Sequence, residues 1–152
     1  MLEIKRLHTQ DAGQLSALLL SSEKGYSSYF VPFSFDKKTL DHLLAAAKKD
    51  LYFGLYIQNR LAGFYMLRGM DDGFEIPSYG VWIDPAHSGK GLAKTTVYHA
   101  CSVCQLMGAP ALRLKVHPDN VVAKSLYEKA GFEQIGIDEK IGHFIYIKKM
   151  KP

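Results

Sequence analysis

"IDPAHSGKGLAKTT", residues 83–96, decides how the chain is read. Within fourteen residues come a strand end, a turn at Asp84-Pro85, two glycines around Lys90 and the start of a helix. Glycine in a helix interior is unfavourable by roughly 1 kcal/mol relative to alanine, so Gly89 and Gly91 need a reason. Close approach is one such reason, because a residue without Cβ lets another group reach the backbone. A phosphate is the usual partner. The first amides of a helix have no intrahelical acceptor and lie at the positive end of its dipole. In "HSGKGLA" the amides from Ser88 to Ala93 can cradle a pyrophosphate, with Lys90 adding charge and small Ala93 permitting close helix–strand packing.

Two other phosphate-binding patterns fail here. A nucleoside-triphosphate loop, G-x-x-x-x-G-K-[ST], places its first glycine where Asp84 stands and its hydroxyl residue where Gly91 stands. A dinucleotide fingerprint opens a parallel sheet near the chain start, whereas these glycines follow an antiparallel half. A surface turn whose glycines only solve a backbone problem remains open.

The chain has 152 residues, 47% of them hydrophobic, which suits one domain over residues 1–152 with a single core. Net charge is +4 and pI about 9.0. Lys and Arg are scattered except in "KKMKP", so nucleic acid is not an expected partner, while an anionic ligand is favoured. "MLEIKRLHTQ" lacks a secretory layout, and runs such as "LSALLL" fall far short of the ~20 residues of a membrane span. The expected location is cytoplasmic, with no membrane partner. Cys101 and Cys104 have C-x-x-C spacing but sit in a helical pattern without a second ligand pair. They read as buried helical thiols, and no metal is expected.

Periodicity orders the elements. "LEIKRL" alternates as a strand, Thr9 offers a helix cap, and Leu15, Leu18 and Leu19 have helical spacing. "EKGYSSYFVPFSF" is aromatic and aperiodic, a loop or broken helix. Ser34 or Asp36 caps "KKTLDHLLAAAKK". "LYFGLYIQNRLAGFYMLRG" is a hairpin turning at residues 58–60, and "IPSYGVWI" is a further strand. A helix from Gly91 to Met107 ends at Gly108; "ALRLKV" follows as a strand with Leu112, Leu114 and Val116 inward. A short helix capped by Asp119 or Asn120 and closed by Gly131 precedes two strands, "FEQIGI" and "HFIYIKKM". The order β-α-α-β-β-β-α-β-α-β-β predicts an α+β fold, a mixed sheet with helices on its faces.

"DPAHSGKGLA" together with "N-x-x-A-x-x-L-Y-E-K-x-G-F", which begins at Asn120, resembles the Gcn5-related N-acetyltransferase superfamily, strongly over about residues 76 to 137. The resemblance implies a mostly antiparallel twisted sheet with a splayed strand pair and about four helices. It also implies acetyl-CoA as co-substrate, with its pyrophosphate on Ser88, Gly89, Lys90, Gly91, Leu92 and Ala93. The family's Q/R-x-x-G-x-G/A pattern falls on residues 88–93, with Ser88 where Arg or Gln is expected. Val81, Trp82 and Ile83 match the strand whose backbone bonds pantetheine and points an N–H at the thioester carbonyl, where aminolysis builds negative charge. Asn120 matches an asparagine near the pantetheine arm. Tyr127 matches the tyrosine that protonates the leaving thiolate, a donation conceivable from reference values near 8.5 for thiol and 10 for phenol. Asn120 as a plain cap and Tyr127 as a packing residue remain open.

The resemblance leaves the base between Glu75, ahead of the splayed strand, and His117, after "ALRLKV". The acceptor pocket is expected from "EKGYSSYFVPF" with Tyr26, Tyr29, Phe30 and Phe33, from "MLRGMDDGFE", and from the last two strands. Asp71, Asp72 and Glu75 can attract a cationic amine. The implied function is direct acetyl transfer to a small-molecule primary amine such as an amino sugar, polyamine or amino-acid derivative. A protein or peptide N-terminal acetyltransferase and a non-catalytic CoA-sensing module are the other readings, and a homodimer is among the expectations.

Overall fold

A computed structural model describes residues 1–21 and 33–152. The elements run in the expected order: β1 (Leu2–Arg6), α1 (Ala12–Leu20), α2 (Lys37–Ala46), β2 (Leu51–Ile57), β3 (Arg60–Arg68), β4 (Ser78–Ile83), α3 (Leu92–Met107), β5 (Ala111–Val116), α4 (Val121–Lys129), β6 (Glu133–Asp138) and β7 (His143–Lys149). The seven described strands form one sheet in the order β1-β2-β3-β4-β5-β7-β6. Pairing is antiparallel for β1 with β2 and for β7 with both β5 and β6, and parallel for β4 with β5. This is the α+β fold, with four α-helices among the described residues.

The chain divides into two compact units, residues 1–66 with 81–92, and residues 67–80 with 93–152. In the first, α1 buries Leu15 and Leu19, α2 buries Leu40 and Leu44, and both contribute to a core with Phe64, Met66 and Trp82. The helix starts differ from expectation at α1. Thr9 does not cap it; a short 3-10 turn, Thr9–Asp11, comes first, and Asp11 accepts the His8 amide at 2.8 Å. Asp36 rather than Ser34 caps α2, accepting the Thr39 amide at 2.9 Å. The β2–β3 turn holds Gln58 and Asn59 at φ 49° and 66°, the left-handed pair that a two-residue hairpin with matching twist requires. Phe33 is partly buried, packs against this core and meets Phe64 at 6.5 Å between ring centroids.

In the second unit, β5 buries Leu112, Leu114 and Val116 as its alternation predicts. Helix α3 buries Thr96, Val97, Ala100 and Cys104 at helical spacing. Parallel pairing of β4 with β5 covers only Ser78 with Arg113 and Tyr79 with Leu114. Among the described residues, Lys115 and Val116 of β5 are paired with β7, at Ile145 and Phe144. Strand β6 lies at an outer edge and is interrupted by a bulge between Gln134 and Gly136. No helix among the described residues is long and apolar enough to cross a membrane.

Two strand glycines of the first unit provide a comparison. A Cβ on Gly63 would lie 2.6 Å from the Trp82 carbonyl oxygen, a backbone atom that cannot swing away. For one on Gly54 the three nearest atoms are side-chain atoms of Leu7, Leu61 and Tyr56, at 2.8 to 2.9 Å. Gly63→Ala is therefore expected to destabilise by about 3 kcal/mol or more, and Gly54→Ala by roughly 1–2 kcal/mol. Urea unfolding midpoints compared at equal m-value check the ranking.

Candidate active site

Residues 83–92 form a braced corner. The Asp84 amide bonds the Ala62 carbonyl at 2.8 Å, fixing the strand end, and the Asp84 carboxylate accepts the Ala86 amide at 3.1 Å. A 3-10 turn, Pro85–His87, follows. The Ser88 amide bonds the Pro85 carbonyl at 3.2 Å, closing that turn. Helix α3 starts at Leu92, whose buried side chain packs with Leu55 and Ile83, with Val81 alongside. Hydrophobic contact thus sets where the helix begins.

Between these anchors Gly89 and Gly91 have φ +76° and +78°, a region that other L-residues rarely adopt. A Cβ at either would meet nothing within 4 Å, so open space surrounds both. Among the described residues, the amides of Gly89, Lys90, Leu92 and Ala93 make no backbone hydrogen bond outside the regular elements. At an exposed helix start these amides present donors and partial positive charge, beside exposed Lys90. Open, left-handed glycines beside such donors fit a diphosphate group. Backbone demand and ligand access coincide here, because the same two residues meet both.

Within the second unit, the start of α3 is linked to Tyr127 through side chains that sequence reasoning missed. Thr96, fully buried, donates its hydroxyl proton to the Ala93 carbonyl at 2.8 Å. Its oxygen lies 3.0 Å from the Tyr79 hydroxyl. Thr96 has one proton and has already given it, so Tyr79 is the donor of that bond. The Tyr79 ring meets Tyr127 edge-on at 6.2 Å, and Tyr127 meets Phe132 at 5.9 Å. Tyr79 reads in the sequence only as an alternating strand residue. Its hydroxyl partner, seventeen positions away, has no sequence signal.

Tyr127 is 7% exposed, and burial alone pushes its phenol well above the usual range. It therefore stays protonated at any physiological pH. Tyr146, also buried, donates to Glu128 at 2.7 Å, which ties β7 to α4. Its phenol is pushed up to about 12, first by burial and then by the Glu128 carboxylate. Asn120 rather than Asp119 caps α4, accepting the Ala123 amide at 3.2 Å.

The remaining expected residues are scattered. Val81 is half-buried, while Trp82 and Ile83 are buried. Glu75 is exposed on a bend ahead of β4, and Asp71 and Asp72 are exposed in the 3-10 turn Met70–Asp72. Tyr26, Tyr29 and Phe30 lie outside the described residues. Cys104 is buried and Cys101 partly so; burial pushes the Cys104 thiol up to about 12, which leaves it protonated and unreactive.

The family model described as the acetyltransferase (GNAT) family matches residues 19–132. This chain belongs to that family. A PaiA N-acetyltransferase from Thermoplasma acidophilum, solved with coenzyme A, is 23% identical with a TM-score of 0.80, covering 98% of this chain and 99% of that one. A ribosomal-protein alanine N-acetyltransferase from Escherichia coli is 19% identical at TM-score 0.73, covering 100% and 96%. A spermidine N-acetyltransferase chimera from Vibrio cholerae and hSSAT is 21% identical at TM-score 0.78, covering 97% and 95%. These likenesses show the fold. An uncharacterized protein of Mycobacterium leprae is 30% identical over 90 residues, and the match spans 58% of this chain and 24% of that protein's length.

Removing the α4 cap has a defined consequence. Asn120→Ala leaves the Ala123 amide without its side-chain acceptor, and a loss of about 1 kcal/mol is expected. Thermal unfolding of the purified variant, followed by far-UV circular dichroism, checks it.

Proposed function

We propose that this protein transfers an acetyl group from acetyl-CoA directly to a primary amine of a small molecule, in a ternary complex. The observation that carries the reading is the open pair of left-handed glycines, Gly89 and Gly91, held at the start of α3 by Leu92. Among the described residues nothing lies within 4 Å of where a Cβ on either glycine would stand, and the helix dipole favours a diphosphate's charge. Amides from Gly89 to Ala93, with the Lys90 ammonium, hold the pyrophosphate in this reading. The Ser88 side chain is short and neutral where Arg or Gln is usual, so backbone donors and Lys90 carry more of the contact.

The backbone of Val81, Trp82 and Ile83 aligns the pantetheine amides, and an N–H at Val81 or Trp82 faces the thioester carbonyl. Fixed donors aimed at a developing oxyanion stabilise the transition state more than the ground state. Asn120 borders the pantetheine arm while capping α4. Tyr127 gives its proton to the departing thiolate. Its burial reduces the acidity of the phenol, yet a thiolate released into an equally dry environment is also made more basic. Asp71, Asp72 and Glu75 draw a cationic acceptor, and Glu75 is one group to which the ammonium proton can pass. A cytoplasmic location belongs to the same reading.

A panel of amino sugars, polyamines, amino-acid derivatives and short peptides, each with acetyl-CoA, tests the reading through release of free thiol. Turnover of small amines supports it, turnover of peptides alone moves the acceptor to protein N-termini, and coenzyme A binding without turnover leaves a sensing module. Gly91→Val is expected to weaken coenzyme A binding at least about tenfold, roughly the 1.4 kcal/mol equivalent of such a loss, while the variant stays folded. Calorimetric titration reads it, and unchanged affinity removes the cradle. Tyr127→Phe is expected to lower kcat on the order of a hundredfold with coenzyme A affinity little changed. Equal kcat removes it as the acid.

A further inference from the structure

We propose that Arg113, with the Ser78 hydroxyl beside it, is a binding site for a carboxylate group. All the residues that form it belong to the second unit, and its test reads binding, so it does not rest on the acetyltransferase reading.

Sheet register places the two donors together. Ser78 of β4 and Arg113 of β5 are partners across the parallel pair, so their side chains leave the same face one strand spacing apart. The Arg113 amide donates to the Pro77 carbonyl at 3.0 Å, which fixes the residue next to Ser78 against β5. Leu112, Leu114 and Val116 alternate with Arg113 and are buried on the opposite face. Helices α3 and α4 lie on that opposite face as well. The register partner of Leu112 is Lys148, whose ammonium is 6.0 Å from the Tyr98 ring of α3. That of Leu114 is Tyr146, which bonds Glu128 of α4. The Arg113 face therefore carries no described α-helix of its own unit. Ile147, partner of Arg113 on β7, and Ile145 beside it are half-buried there. Farther along, the same face ends in the rings of His117 and His143, whose centroids are 5.3 Å apart.

Charge on this face is unbalanced at Arg113. The residue is half-buried, and its Nε is sealed from water without a hydrogen-bond partner. A guanidinium can only donate, and among the described residues no ion pair or side-chain hydrogen bond engages it. Nearby carboxylates are taken or remote. Asp138 accepts from Lys115 Nζ at 2.6 Å and from the Lys140 amide at 3.0 Å. Glu133 stands beyond Ile147 in the same row, two strand spacings or roughly 10 Å away along the sheet. Ser78 is exposed, and no described residue bonds its hydroxyl.

These features select the ligand. With Nε sealed, the terminal nitrogens are the ones that can meet a partner. End-on, they offer two N–H groups spaced for the two oxygens of one carboxylate. The packed stem is already held, so little freedom is lost on binding. One uncompensated positive charge matches a monoanion, since the Lys115 charge is balanced by Asp138. Ile145 and Ile147 beside the guanidinium suit a small apolar group next to that carboxylate. An amino acid and a simple carboxylic acid both present this chemistry.

The full chain tests this with three probes of one shape. L-leucine carries amine and carboxylate, L-leucinamide the amine alone, and 4-methylpentanoate the carboxylate alone. Because its N–H is shielded from water, Arg113 Nε is expected to give a resolved proton–nitrogen NMR resonance. Leucine and 4-methylpentanoate are expected to shift it saturably, while leucinamide and sodium chloride at matched ionic strength leave it in place. By calorimetry, Arg113→Gln is expected to weaken 4-methylpentanoate binding at least about tenfold, and Ser78→Ala by roughly threefold. Arg113→Lys, which keeps the charge without the fork, is expected to fall between wild type and Arg113→Gln. A resonance that neither carboxylate moves overturns the site, as does an Arg113→Gln protein that binds 4-methylpentanoate like the wild type. An equal shift from chloride reduces the effect to screening and overturns it too. Acetyl-CoA then separates the two sources of the carboxylate, either of which supports the site. If leucine is acetylated and Arg113→Gln raises its KM at least about tenfold without changing that of leucinamide, the carboxylate belongs to the acceptor. Binding of 4-methylpentanoate with neither amine acetylated assigns the site to a separate carboxylic acid.

Discussion

Contact of Leu92 with Leu55 and Ile83 sets the position of everything around the glycine corner. Leu92 is the first residue of α3, and Ile83 is the last of β4. Burying these side chains together, each worth roughly 1.5–3 kcal/mol of transfer free energy when fully buried, holds helix start and strand end at a fixed separation. The eight intervening residues must then span a set distance, and a 3-10 turn uses part of that length. The rest demands backbone angles that only glycine adopts cheaply, which explains Gly89 and Gly91 without reference to any ligand. Both are exposed, with open space where a Cβ would stand.

A second constraint is polar. Thr96 is fully buried, and an unpaired buried hydroxyl is costly. It is satisfied twice, by the Ala93 carbonyl and by Tyr79. The Ala93 carbonyl fixes the first turn of α3, while Tyr79 holds its ring against Tyr127. One small side chain thereby relates the first turn of α3, which carries the last cradle residue, to the tyrosine proposed as acid. Removing it would disturb both through a single loss.

Most of the fold was legible because its signals are local. Alternation in "ALRLKV", the hairpin turn expected at residues 58–60 and the glycine stops at Gly108 and Gly131 all act within a few residues, and each has its structural counterpart, though the turn is made by Gln58 and Asn59 while Arg60 already opens β3. Where two caps were open, Asp36 and Asn120 took the role, since each carboxylate or amide oxygen stands three residues before the amide it accepts. Thr9 offers a cap in the sequence but does not act as one, because the chain makes a 3-10 turn before α1, with Asp11 satisfying the His8 amide. The glycine corner was visible as a motif. The Tyr79–Thr96 bond and the His117–His143 contact were not, because each joins elements brought together only by sheet register or helix docking. Phe33, expected at a pocket, is partly buried and packs against the core, with its ring 6.5 Å from that of Phe64.

The bulge in β6 bears on how the protein behaves when concentrated. Ile135 and Ile137 are 60% and 53% exposed on an outer strand, the kind of greasy ribbon that invites another chain to stack alongside. An extra residue between Gln134 and Gly136 breaks the regular spacing of the ladder there, so a visiting strand finds no continuous template. Straightening that kink would exchange a soluble rim for a seed of fibrous growth.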